Sequence, residues 1–271
     1  MAARNQPLKC PQMLADDLID VHARPREVAP FSERYPGLTP EAGYAASRAL
    51  HQHRVVQGWR PSGRKIGFTN RTLWKRYGVY EPMWGMVYDR TLIFAKDGHA
   101  DVPLHGLVQP RIEPEICFGL RRAPDGEHVL EAIEWVAHSI EIVQCHHPGW
   151  QVTLADCTAD NGLHGRLVVG SRVPVREIPD LEKRLPALGV TLRKAGAEVD
   201  RGVGAIVLGS PLIALAHLVM VLAKQPECPR LSAGEIVTTG VLTDAHPVSP
   251  GELWGTELTG IALEGLSIRF T

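Results

Sequence analysis

The sequence has no block of Lys or Arg and no basic helix face, and its 29 Lys plus Arg against 30 Asp plus Glu leave a formal net charge of -1. Nucleic acids and anionic membrane surfaces are held by clustered positive charge, so neither is an expected partner. Long apolar runs are missing too. The longest, Pro211 to Ala223, is interrupted by His217 and falls short of the roughly 18 to 20 residues of a membrane span. Met1-Ala2-Ala3-Arg4-Asn5-Gln6 leads into no apolar signal core, so secretion is not expected. Cysteine is sparse and odd in number: Cys10, Cys117, Cys145, Cys157 and Cys228 are scattered without a Cys-x-x-Cys pair, which removes the usual signals for zinc or dithiol chemistry. A reducing cytoplasm is the expected home. There is no internal repeat and no low-complexity segment.

What remains is an ordinary globular composition. With 271 residues, 44% of them hydrophobic, the chain can build one large core or a core plus a small domain. The first sixty residues read as helical: one helix over Pro11 to His22, another opening at Thr39 as N-cap with Pro40 and Glu41 in its first turn and ending at Gly58. After Gly63 the texture becomes short apolar or β-branched runs: Lys65 to Phe68, Thr91 to Phe94, Ile112 to Phe118, His138 to Val143, Leu167 to Val169, Val190 to Lys194, Ile236 to Thr239 and Leu258 to Phe270. Two further helices are expected, over Glu127 to Val136 and from the N-cap Ser210 with Pro211, burying Leu212, Leu215, Leu218, Val219 and Leu222. Strand and helix alternate too rarely for a doubly wound or barrel fold, so the expected class is α+β.

The most informative residues are Glu113-Pro114-Glu115 and Glu141. A strand period of two puts Ile112, Pro114, Ile116 and Phe118 on one face and both carboxylates on the other, roughly 7 Å apart and able to reach one ion. Glu141 stands in Ser139-Ile140-Glu141-Ile142-Val143, a run buried on both faces, where a lone carboxylate wants a cation. The competing reading places Glu113 and Glu115 on a solvated edge strand, where Pro114 would not break a ladder. Three carboxylates suit Mg²⁺ or Mn²⁺ with positions left for substrate, whereas zinc would recruit His or Cys. Lys65, in a short run between Gly63 and Gly67, is either a tuned acid/base and charge stabiliser or a solvated strand lysine.

Gly63-Arg64-Lys65-Ile66-Gly67-Phe68-Thr69, Tyr77-Gly78-Val79-Tyr80-Glu81-Pro82-Met83-Trp84-Gly85, Glu113-Pro114-Glu115, Ser139-Ile140-Glu141-Ile142, Ala159-Asp160-Asn161-Gly162, Val207-Leu208-Gly209-Ser210-Pro211 and Leu231 to Gly240 occur in that order. Together they resemble the 2-keto-4-pentenoate hydratase and 4-oxalocrotonate decarboxylase branch of the fumarylacetoacetate hydrolase superfamily, over almost the whole chain after about residue 10.

The resemblance implies a β-rich fumarylacetoacetase-like catalytic domain over residues 61–271 with a helical N-terminal segment over 1–60, assembled as a homo-oligomer and in some cases paired with a related enzyme. It also implies Mg²⁺ or Mn²⁺ on Glu113, Glu115 and Glu141, with Lys65 in the active site. Carbon-carbon hydrolases of the superfamily tend to carry Asp as third ligand and a His-containing dyad, so Glu and Lys point to a hydratase or a decarboxylase. The implied substrate is a small 2-oxo or 2-hydroxydienoate acid: water would add to a 2-hydroxy-2,4-dienoate, or a vinylogous 2-oxo diacid would lose CO₂. A non-catalytic partner subunit is a third reading, opposed by the intact Glu and Lys set.

One departure stands out. After the third Glu the family continues with an Asp-Ser-Arg-like segment before a Trp, and here Val143-Gln144-Cys145-His146-His147-Pro148-Gly149-Trp150 lacks the arginine. His146 and His147 are candidate acid/base or substrate groups, or plain loop residues beside Pro148-Gly149. Asp160 is a further acid/base candidate. Gly209 and Ser210 at a helix start, with the Thr239 hydroxyl, are candidate substrate contacts. Cys145 reads as a buried, inert thiol.

Overall fold

The computed structural model describes residues 11–126 and 128–271. Cys10 and the opening segment therefore lie outside the described residues, as does Glu127. The chain begins with helices α1 (Pro11–Ala23), α2 (Phe31–Arg34) and α3 (Pro40–Val56), followed by strand β1 (Pro61–Gly67), α4 (Trp74–Tyr77), β2 (Met83–Tyr88), β3 (Leu92–Phe94), β4 (His99–Val102), β5 (Arg111–Leu120) and β6 (Ile133–Val143). It continues through α5 (Leu154–Ala159), β7 (His164–Val169), β8 (Val173–Pro174), α6 (Leu181–Ala187), β9 (Gly189–Lys194), β10 (Ala197–Val203), α7 (Pro211–Ala223), β11 (Ile236–Thr238), β12 (His246–Pro247), β13 (Leu253–Thr259) and β14 (Ser267–Phe270).

Two sheets organise these elements into an α+β fold. The larger runs β2-β1-β11-β5-β6-β7-β3, with β12 added to β5 and β8 to β6; the smaller runs β10-β9-β13-β14-β4. Ile112, Ile140, Ile142 and Val168 of the first pack against Leu192, Trp254, Ile268 and Phe270 of the second. Toward the other end, Ile66, Ile116, Phe118 and Val237 meet Leu212, Leu215, Leu218 and Leu222 of α7. One face of the large sheet thereby becomes core along its whole length, and the alternate residues are displayed on the opposite face. Among the described residues no helix is long and apolar enough to cross a membrane.

Two sequence expectations need correction, and one competing reading is removed. The helix expected over Glu127 to Val136 is one 3₁₀ turn, Val129–Ala132, and then a strand. Ile133 to Val143 pairs with β5 from Leu120↔Ile133 to Arg111↔Val143, so cross-strand burial of Ile133 and Val136 overrides the helical signal. The run Leu258 to Phe270 is broken after Thr259, where Gly260 turns the chain at φ +78°, and resumes as β14. β5 is also no edge strand. It is paired on both sides, and Pro114 sits where β11 has left it and β12 has not begun; there its carbonyl accepts from the Leu242 N–H at 2.8 Å. In an antiparallel ladder a residue's N–H and C=O point to the same side, so Pro114 lacks a donor only where no strand needs it.

The N-terminal helices are seated on α5. The Thr39 side chain caps α3, accepting from the Ala42 N–H at 3.3 Å, and Leu14, Leu18, Phe31, Ala46 and Leu50 close over Ala159. The approach is close at Gly43, where a Cβ would stand 2.6 Å from the Ala155 carbonyl oxygen and 2.2 Å from Thr158 Oγ1. Gly43→Ala must push α3 off α5, and thermal or urea unfolding should register a loss of about 1–3 kcal/mol.

Candidate metal centre and active-site pocket

Glu113 and Glu115 project from β5 on the face away from the core, and the ladder sets Glu141 of β6 directly opposite Glu113. Cross-strand partners stand about 5 Å apart at Cβ, so an i, i+2 pair and one opposite residue make a compact triangle of carboxylates. One oxygen from each lies within 4.8 Å of the others. Glu115 and Glu141 are fully buried and Glu113 is partly so. On the same face, Lys65 of β1 is in register with Thr238 of β11, and two strands, β11 and β5, separate β1 from the strand of Glu141.

Each carboxylate has different support. Glu115 Oε2 accepts from the Thr238 hydroxyl and from the Gly240 N–H at 2.8 Å, while its Oε1 is buried without a donor. Glu141 Oε1 accepts from His164 Nδ1 at 2.8 Å, and His164 Nε2 lies 2.9 Å from Thr91 Oγ1. Glu141 Oε2 is 3.2 Å from Lys65 Nζ as an ion pair but has no hydrogen-bond donor, and Nζ donates to the Gly162 carbonyl at 2.9 Å. Burial pushes Glu113 up to about 7, with Lys65 opposing and Glu141 adding to the shift. Burial and the neighbouring charges of Glu141 and Glu113 raise Glu115 well above the usual carboxylate range. For Lys65, burial alone would lower the ammonium, but Glu141, Glu113 and Glu115 outweigh it and the net shift is upward.

Lys65 and Glu113 line one pocket together. Its walls are mostly apolar, from Phe68, Leu73, Met83, Val143, Trp150, Val152, Leu163 and Val241, with Asn70 and Asp244 as the remaining polar lining.

No family model matches the chain, but individual relatives do. It is 31% identical to a 2-keto-4-pentenoate hydratase of Paraburkholderia xenovorans over 242 residues, 87% of this chain and 86% of that one. A 4-oxalocrotonate decarboxylase of Pseudomonas sp. (strain CF600) is 30% identical over 98% of this chain and 97% of its own. The chain belongs to the 2-keto-4-pentenoate hydratase and 4-oxalocrotonate decarboxylase family. Among solved structures, a 4-oxalocrotonate decarboxylase of Pseudomonas putida G7, complexed with magnesium and adipate, superposes with a TM-score of 0.87 at 25% identity, over all of this chain and 99% of that one. A fumarylpyruvate hydrolase of Pseudomonas aeruginosa shares the fold at a TM-score of 0.61 and 13% identity, over 78% of this chain and 90% of that one.

The other residues singled out from sequence do not gather at this hydratase/decarboxylase-type pocket. His146 and Asp160 are buried against each other, Nδ1 to Oδ2 at 2.8 Å, and are joined by His22 of α1. His147 Nδ1 lies 3.2 Å from the Val28 carbonyl, with its ring edge-on to Phe31. The Thr239 hydroxyl donates to the Ile116 carbonyl at 2.8 Å, tying β11 to β5. Ser210 caps α7 by accepting from the Leu212 N–H, and Gly209, at φ +96°, makes the turn before it. Cys145 is buried, and burial pushes its thiol up to about 12.

Sequence reasoning passed over Thr238, Gly240, His164, Asn70 and Asp244. His164 carries no motif of its own, since only the pairing of β6 with β7 brings it to Glu141. Gly240 closes the Leu231 to Gly240 motif, but its backbone role is visible only in three dimensions. Its N–H points at Glu115 from a φ of +104°, and an added Cβ would lie 1.9 Å from Thr69 Oγ1. Gly240→Ala should therefore shift this loop and leave Glu115 with one donor fewer; denaturant unfolding should show a loss of about 1–3 kcal/mol.

Proposed function

We propose that this chain is a divalent-metal-dependent hydratase that adds water to a 2-hydroxy-2,4-dienoate to give a 4-hydroxy-2-oxo acid. The observation that carries the reading is the convergence of Glu113, Glu115 and Glu141, with the Lys65 ammonium 3.2 Å from Glu141, at one end of an apolar-walled pocket. The donor set fits a hard cation. It is all oxygen, and Glu115 Oε1 is a buried acceptor with no protein donor, a costly arrangement that an ion would relieve. Glu113, Glu115 and Glu141 would hold Mg²⁺ or Mn²⁺, and when bound the ion supplies Lewis acidity toward the C1 carboxylate and C2 oxygen of a 2-oxo acid.

The chain's own groups do the rest. His164 and Thr238 fix the orientations of Glu141 and Glu115, as outer partners of metal-binding carboxylates do. Lys65 Nζ carries protons next to the reacting end of the pocket, where it stabilises the dienolate and exchanges a proton with it. Phe68, Met83, Trp150 and Leu163 keep bulk water from the conjugated chain, so that charge on the substrate is answered by fixed groups. The division into a helical segment over 1–60 and a catalytic domain over 61–271, homo-oligomeric assembly and a cytoplasmic location belong to the same proposal.

A decarboxylase of a vinylogous 2-oxo diacid is the second reading, favoured by the same apolar walls. Among the described residues, ionisable lining is confined to Lys65, Glu113 and Asp244, and loss of CO₂ needs an electron sink more than a positioned water. Turnover of freshly generated 2-hydroxypenta-2,4-dienoate and 4-oxalocrotonate, each with Mg²⁺, Mn²⁺ or chelator, separates the two by product mass and CO₂ release. Metal-dependent gain of water is the expected result, lost in Glu115→Gln by more than the roughly 100-fold that outer-partner changes can cost. Metal-dependent loss of CO₂ would install the second reading, and turnover that survives chelation would remove both.

A further inference from the structure

The residues of the substituted loop lead to the inference. We propose that Arg54, His22, Asp160 and His146 form a buried relay by which the N-terminal helices position the pocket wall between Glu141 and Trp150, with His146 acting through its Nδ1–H and not as a base. The functional half of this statement rests on the pocket being the active site.

The proton positions follow from the donors. Arg54 Nη2 lies 3.0 Å from His22 Nδ1, and a guanidinium can only donate, so Nδ1 is an acceptor and the neutral ring carries its hydrogen on Nε2. That Nε2 is 2.8 Å from Asp160 Oδ1, a close contact outside hydrogen-bond geometry, so neither atom has a hydrogen-bond partner. Asp160 Oδ2 is 2.8 Å from His146 Nδ1, which places the hydrogen of His146 on Nδ1 and leaves its Nε2 as a buried nitrogen with no partner. The two rings meet edge to face at 4.9 Å. All four side chains are buried: Arg54 is 8% exposed, His146 and Asp160 1%, and the His22 side chain 7%. Burial holds His22 down to about 4, so it stays neutral. Burial works against the Asp160 carboxylate, but the two imidazoles outweigh it and hold the group far below the usual range. The relay thus joins one buried cation to one buried anion through an imidazole.

His22, His146 and Asp160 also satisfy the spacing of a metal site. The tautomer argues against that use, because a metal on His22 Nε2 would force a hydrogen onto Nδ1 and set it against the Arg54 N–H.

The connections give the relay its consequence. Arg54 lies on α3, His22 on α1 and Asp160 at the end of α5, whereas His146 belongs to the stretch that follows Glu141. The Val28 N–H donates to the His146 carbonyl at 2.7 Å, a second hold from the same helical segment. Val143 and Trp150, on either side of His146, line the pocket. The helices therefore grip the middle of a segment whose two ends face the substrate.

Asparagine can present an N–H where histidine has Nδ1 but has nothing in place of Nε2, so His146→Asn and His146→Ala separate the two atoms. The readouts are kcat and KM on whichever substrate the protein turns over, the melting temperature, and calorimetric binding of 2-oxopentanoate with Mg²⁺, which needs no turnover. His146→Ala and His22→Ala are expected to raise KM and weaken 2-oxopentanoate binding about tenfold. His146→Asn should stay near wild type, and the double alanine variant should cost less than the sum of the singles. A His146→Asn variant as impaired as His146→Ala would make Nε2 the acting atom and overturn the proposal. So would unchanged KM and binding in His22→Ala, or one equivalent of zinc lost when His22 is replaced. If His146→Ala does not fold, His146→Asn and His22→Gln decide alone, since both retain the N–H that faces Asp160. A wild type that binds 2-oxopentanoate with Mg²⁺ yet turns over neither 2-hydroxypenta-2,4-dienoate nor 4-oxalocrotonate sinks the proposed reaction and leaves the binding test standing.

Discussion

Three carboxylates on one buried patch of sheet repel each other, and much of the surrounding structure answers that repulsion. Burial and mutual charge push Glu113 and Glu115 upward, while the Lys65 ammonium opposes the shift at both and the Arg111 guanidinium opposes it at Glu113. These cations do not outweigh three carboxylates in a low-dielectric site, and the Thr238, Gly240 and His164 donors do not satisfy every oxygen. A divalent cation supplies the missing charge and the missing partner together.

The sheet delivers this arrangement without strain. Alternation on β5 puts Glu113 and Glu115 on one face, the β5–β6 register places Glu141 opposite, and β11 brings Thr238 and Lys65's neighbouring strand alongside. Pro114 separates the two glutamates at the one place where a β5 residue can lack its N–H, the interval between β11 and β12. The apolar face beneath is locked into two cores by the second sheet and α7, so a one-residue slip of β5 would bury the glutamates in that core and expose Ile112, Ile116 and Phe118.

The parts of this arrangement that were legible in the sequence are local ones. The Glu113-Pro114-Glu115 alternation, the buried run around Glu141, the Thr39 cap and the Ser210 helix are all written within a few residues of themselves. Non-local pairing is not. The segment from Ile133 reads as helix until β5 is available to pair with it, because its β-branched residues serve either state. His164 reaches Glu141 only through β7. The substituted stretch Cys145-His146-His147 offered two histidines without a partner, and the partner is His22 with Asp160, the former more than a hundred residues away on another element. Side chains of that kind become interpretable only when the long-range contact supplies the donor that fixes their tautomer.

The central claim is that the glutamate cluster binds a divalent ion. The most direct measurement is a crystal structure with Mn²⁺ and its anomalous difference map. The account predicts one peak bonded by oxygens of Glu113, Glu115 and Glu141 at roughly 2.0–2.2 Å, with the remaining positions open toward the pocket. An ion seated elsewhere, or no peak at these carboxylates under saturating Mn²⁺, would contradict it.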